Sequence, residues 1–118
     1  MKTEIDTLLS PARLLQVLRQ HVGQAHGATA KQLVQALTGR HEYAAAERHL
    51  RNVVEQLRLE GYPVCAHPSH GYYLAASDAD LELTCDYLRS RAMKSLQQIA
   101  AMRRVSLPDL LGQLRLSA

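Results

Sequence analysis

Cysteine is scarce in this chain: Cys65 and Cys85 are the two thiols among 118 residues. Two cysteines make no disulfide framework, so stability must come from a packed core, and reduced, semi-buried thiols in a cytosolic protein are expected. There is no apolar run approaching the roughly 18 residues that a membrane-spanning helix requires. A basic-then-apolar leader is missing as well, so the expectation is a soluble, cytoplasmic protein without a membrane partner. Signatures of catalysis are equally absent: no glycine-rich phosphate loop, no nucleophile elbow and no HExxH pair. Neighbouring carboxylates such as Asp78 and Asp80 read as helix-start charges. No enzyme and no cofactor is therefore expected.

What is present describes a globular chain. Hydrophobic residues make up 47% and charged residues 21%, a balance outside the disordered range, and 118 residues supply one real but modest core. The net charge is +3, with arginine far outnumbering lysine. Arginine is the better ligand for phosphates and base edges, although +3 does not by itself establish a nucleic-acid partner.

Taken in order, residues 1–9 form a lead-in whose Leu8 and Leu9 can tuck against the body. Ser10 and Pro11 start a helix, serine capping free amides and proline standing where no amide bond is lost. That helix carries Leu14, Leu15, Leu18 and Val22 on one face and stops near Gly23. After a connecting loop, Thr29 and Gln32 have the spacing of a capping box. The short helix behind them buries Leu33, Val34 and Leu37 and ends by Gly39, followed by a turn, 38–41, longer than a minimal helix-turn-helix uses.

The stretch 42–75 organises the rest. Tyr43, Ala46, Leu50, Val53, Val54 and Leu57 recur at three- and four-residue intervals and share one side of a helix. Gly61 stands where a left-handed residue ends a helix, and Pro63 prevents re-entry. Two β-prone runs, 62–66 and 72–75, flank a turn containing proline and glycine. Alternation puts Tyr72 and Leu74 on one strand face and Tyr73 on the other; Tyr72 and Leu74 are expected to face the core and Tyr73 the solvent.

The segment LRNVVEQLRLEGYPVCAHPSHGYYLA resembles the winged helix-turn-helix of small phage-encoded proteins and, more distantly, the biotin-repressor type of DNA-binding domain. An arginine-containing helix, Leu57-Arg58, then Gly61-Tyr62-Pro63-Val64 and the closing Gly71-Tyr72-Tyr73-Leu74-Ala75 carry the likeness. It covers about a quarter of the chain well and most of residues 1–75 loosely. The resemblance implies a mainly α fold, a winged helix-turn-helix with a two-stranded β-wing and a C-terminal helical extension. It implies a double-stranded-DNA-binding protein, a phage-type transcriptional or replication accessory factor. Winged helices also serve as protein-interaction modules without DNA binding, and that alternative stays open.

Under the DNA reading, Arg48, Arg51 and Asn52 project from the outward side of the long helix, with Ala44 and Ala45 small enough to permit close approach. Arginine pairs bidentately with guanine and asparagine with adenine in a major groove. Lys31 would add a phosphate contact and Arg40 a further contact to DNA, against which Glu42, Glu47 and Glu55 count. His67, Ser69 and His70 occupy the wing tip, as groove or backbone contacts or as a merely exposed turn. Cys65, His67 and His70 offer zinc-type donors, but no fourth ligand lies nearby, so no metal is expected.

The domain expectation is a winged body at 1–76 and a helical extension at 77–118. Ser77 and Asp80 cap a helix running to about 105, in which Leu81, Cys85, Leu88, Ala92, Leu96, Ile99 and Met102 keep helical spacing. Its first half is acidic and its second basic, matching the helix dipole. Ser106 and Pro108 break the chain before a short helix carrying Leu107, Leu110, Leu111 and Leu114. The stripe calls for a cover, either by folding back on the first helix or by forming a homodimer through the C-terminal helices.

Overall fold

A computed structural model describes residues 4–39 and 44–116. Arg40, Glu42 and Tyr43 lie outside the described residues, as does the second half of the turn expected at 38–41. Among the described residues the chain is mainly helical with one two-stranded antiparallel sheet. Its helices are α1 (Glu4–Leu8), α2 (Pro11–Leu18), α3 (Ala30–Thr38), α4 (Ala44–Leu59), α5 (Asp78–Arg103) and α6 (Leu107–Gln113); strands β1 (Val64–His67) and β2 (Gly71–Leu74) stand between α4 and α5. Among the described residues, no helix is long and apolar enough to cross a membrane. Contacts divide the chain into two compact units, Met1–Thr84 and Cys85–Ala118, a division later than the one at 76/77 expected from sequence.

In the first unit the helix ends follow from local chemistry. Ser10 Oγ accepts the Arg13 amide at 3.2 Å, and Thr29 and Gln32 close a reciprocal capping box at 3.1 and 2.8 Å. Gly39 stops α3 in the left-handed region at φ 73°. Gly61, at φ 99°, stops α4. There the Tyr62 amide reaches the Leu57 carbonyl at 3.0 Å and the Gly61 amide the Arg58 carbonyl at 2.9 Å, the paired bonds of a Schellman end.

α2, α3 and α4 pack around one core with α1 laid against α3 and α4. Ala46, Leu50, Val53, Val54 and Leu57 are the buried side of α4, facing Leu14, Leu15 and Leu18 of α2 and Leu33, Val34 and Leu37 of α3. Two long side chains tie the elements together. Arg13 donates from Nε to the Leu8 carbonyl at 2.8 Å and from Nη2 to the Leu37 carbonyl at 3.4 Å, satisfying an end of α3. His49 of α4 meets the Leu9 carbonyl through Nε2 at 3.2 Å and the Asp6 carboxylate through Nδ1 at 3.5 Å.

The hairpin pairs Val64 with Leu74, Cys65 with Tyr73, Ala66 with Tyr72 and His67 with Gly71. A two-stranded hairpin alone is marginal in water, and this one is supported on three sides. Its outer edge is closed by the α2–α3 connection: Ala28 and Tyr72 exchange amide–carbonyl bonds at 2.9 and 2.7 Å, Leu74 donates to the His21 carbonyl at 2.8 Å, and Gly23 donates to the Leu74 carbonyl at 2.8 Å. Unpaired strand edges invite association, and this pairing blunts one. It also corrects the reading of α2. The helix ends at Leu18, and Val22, expected on its buried face, is 42% exposed because its backbone bridges to Leu74.

The hairpin's faces depart from expectation too. Val64 belongs to the core, with Tyr72 and Leu74 packed partly against it. Tyr73, expected in solvent, is 1% exposed, and its cross-strand partner Cys65 is fully buried. The cover is the first turns of α5, which belong to the same unit. The Thr84 hydroxyl accepts the Ala66 amide at 3.3 Å, and the Cys65 thiol donates to the Asp80 carbonyl at 3.6 Å. Ser77 caps that helix through the Asp80 amide at 3.3 Å, as its spacing predicts. Both faces of the hairpin are therefore covered, so alternation does not separate a wet face from a dry one.

The second unit comprises the remainder of α5 and α6. α5 ends without glycine: Arg104 takes φ 56°, and the Val105 amide reaches the Ala100 carbonyl at 3.0 Å. Ser106 caps α6 through the Asp109 amide at 3.2 Å. Ala100, Leu110 and Leu111 are buried. The expected stripe on α5 is not. Cys85 is exposed where a semi-buried thiol was expected, Leu88 is 39% exposed and Met102 77% exposed.

Candidate nucleic-acid interface

α4 has one side committed to the core, and this fixes what the other side presents. With Leu50, Val53 and Leu57 inward, Ala44, Ala45, Arg48, Arg51 and Asn52 are all exposed, as their spacing predicts. Lys31 is exposed in the first turn of α3, and Arg40 lies outside the described residues.

The hairpin stands beside this face through Arg58 and Tyr72. Arg58 Nε donates to the Val64 carbonyl at 2.7 Å, pinning the foot of β1 to the last turns of α4. Half-burial pushes the Tyr72 phenol above its ordinary value near 10.0, the nearby Arg58 and Arg51 guanidinium groups pull it down, and Glu47 pushes it up. Arg51, Arg58 and Glu47 of the helix thus share one electrostatic neighbourhood with a tyrosine of β2. Neither Arg58 nor Tyr72 was singled out from the sequence as a surface residue. The available signal was spacing: Arg58 follows Arg51 by two helical turns and shares its side.

At the far end of the hairpin, His67 closes β1 and is half-buried, while Ser69 and His70 are exposed in the connecting turn. The Ser69 amide donates to His67 Nδ1 at 3.0 Å, and the His70 ring lies tilted over His67 with centroids 4.8 Å apart. The turn is seated on the α2–α3 connection by close backbone packing. A Cβ on Gly27 would meet the His70 carbonyl carbon at 2.9 Å, and one on Gly71 (φ 75°) would meet the Thr29 nitrogen at 2.8 Å. The tip is thus a held loop with two imidazoles on it. Cys65 does not join them: its thiol is buried beneath α5, and among the described residues no three histidine, cysteine or acidic side chains gather into a metal-binding group.

The cations Arg48, Arg51 and Arg58 with Asn52 offer guanidinium forks and an amide on one helix side, chemistry that suits phosphates and base edges. Glu47 and the exposed Glu55 lie on the same helix and oppose an anionic ligand. Comparison with protein-family models, with curated proteins and with solved structures finds no match to this chain.

Proposed function

We propose that this chain binds double-stranded DNA as a winged helix-turn-helix, with α3 and α4 as the helix pair, α4 as the reading helix and the β1–β2 hairpin as the wing. The observation that carries the reading is the shared neighbourhood of Arg51, Arg58 and Tyr72, since it joins the polar side of α4 to the wing. In this reading Arg48 and Asn52 meet base edges, the exposed Ala44 and Ala45 let the helix approach, and Arg51 and Lys31 meet phosphates. His67, Ser69 and His70 contact backbone or minor groove beside the main site. A transcriptional or replication accessory role, without catalysis, is the matching activity.

Fluorescence anisotropy of the full chain with a labelled duplex of mixed sequence, at low salt, tests this. The expected result is saturable binding whose logarithm falls linearly with the logarithm of salt concentration. No binding by a folded sample would overturn the DNA reading and favour a winged-helix module that docks on protein.

A further inference from the structure

The exposed side of α5 has a pattern that α5 itself can complete. Cys85, Ala92 and Ile99 recur every seven residues, and so do Leu88, Ser95 and Met102, offset from the first set by three. That is the alternating three–four spacing of a two-helix seam. Most of it is uncovered: Cys85, Ala92 and Ser95 are exposed, Leu88 is 39% and Met102 77% exposed, and Ile99 is half-buried. The charges along the helix are divided by sign. Asp78, Asp80, Glu82 and Asp86 all precede Leu88, and Arg89, Arg91, Lys94 and Arg103 all follow it.

We propose that this side of α5 binds the same side of α5 in a second copy of the chain, running antiparallel. Parallel pairing would set acidic half on acidic half and basic on basic, whereas antiparallel pairing sets each acidic half against a basic one. Full overlap of the two seams then sets the register. Cys85 lies opposite the partner's Met102, Leu88 opposite the partner's Ile99, and Ala92 opposite the partner's Ser95. The small pair at the centre lets the helices approach closely. Glu82 and Arg103 occupy equivalent flanking positions, so two Glu82–Arg103 pairs bracket the seam by symmetry. The inference stands apart from DNA binding, because none of these residues lies on α4 or the wing.

Cross-linking distinguishes the arrangements with the full chain. Cys65 is fully buried, so Cys85 is the thiol open to an oxidant such as copper phenanthroline. Under mild oxidation the Met102→Cys variant is expected to form covalent dimers in high yield, and the unaltered chain is not. Efficient dimers from the unaltered chain would place Cys85 against Cys85, a parallel seam, and overturn the proposal. Sedimentation supplies the second measurement. The full chain is expected to sediment as a dimer at high micromolar concentration and Leu88→Glu as a monomer, with unchanged helical circular dichroism. Glu82→Arg is expected to weaken the dimer, and adding Arg103→Glu to restore it. A full chain that stays monomeric, with Met102→Cys failing to cross-link, would overturn the proposal outright.

Discussion

α4 and α5 are both long helices with apolar residues at helical intervals, yet they are finished differently. α4 buries Ala46, Leu50, Val53, Val54 and Leu57 against two other helices, so its opposite side is free to carry arginines and an asparagine. α5 buries Thr84 near one end and Ala100 near the other, and leaves Leu88 and Met102, on the side between, 39% and 77% exposed. The difference shows that spacing specifies a face and nothing about its cover. On α4 the cover is supplied by the same chain, and the outward side becomes a candidate surface for a ligand. On α5 the apolar side is itself the candidate surface.

The largest effect that sharpens this contrast is in the core. Leu50→Ala should cost about 2–5 kcal/mol of stability, since Leu50 is fully buried among α2, α3 and α4 residues. Leu88→Ala, on the open side of α5, should change the stability of the dilute protein by no more than about 0.5 kcal/mol. Urea titrations of both variants check the pair, and comparable losses would mean that α5 is covered within its own chain.

Next come the two glycines of the segment that follows α4. Gly71→Ala should destabilise by more than about 1 kcal/mol, because the strain of positive φ is added to a clash with the Ala28–Thr29 backbone. Gly61→Ala, with positive φ but open space around it, should lose only about 1 kcal/mol. Thermal melts rank the two, and equal losses would mean that the hairpin does not press on the α2–α3 connection.

A binding effect of similar size separates α4 from the rest under the proposed function. Arg48→Ala should cost about 1–3 kcal/mol on a preferred duplex and relax sequence choice, with no loss of thermal stability because the side chain is exposed. Competition anisotropy with a panel of duplexes checks it.

A smaller effect belongs to the two buried or half-buried tyrosines. Burial raises both the Tyr72 and the Tyr73 phenols above 10.0, so the folded chain holds its phenolic protons more tightly than the unfolded chain does. Stability from this source is complete below about pH 10 and is lost as pH rises from there through the folded-state values. Tyr73→Phe should lessen that alkaline loss, as denaturant melts from pH 8 to pH 11 would show.

The helix ends were legible because their chemistry is local. Ser10, the Thr29–Gln32 box, Gly39, Gly61, Ser77 and Ser106 each act within a few residues of themselves. Residues whose surroundings come from far along the chain were read less well. Val22 and Tyr73 were misplaced, because one is drawn into a bridge with Leu74 and the other is roofed by Thr84 and Asp80. On the candidate site, the outward set Arg48, Arg51 and Asn52 followed directly from the buried set. Arg58 and Tyr72 were missed, since their role depends on how the hairpin returns to the helix.

The most direct test compares salt dependence across the two helices. Duplex affinity measured over a salt series should give Arg51→Ala a slope of log affinity against log salt shallower by about 1, reflecting one lost phosphate contact. Lys94→Ala, removing an exposed cation on α5, should leave the slope unchanged. Equal slopes for Arg51→Ala and the unaltered chain, or an equal drop in both variants, would contradict the assignment of DNA binding to α4 and its wing.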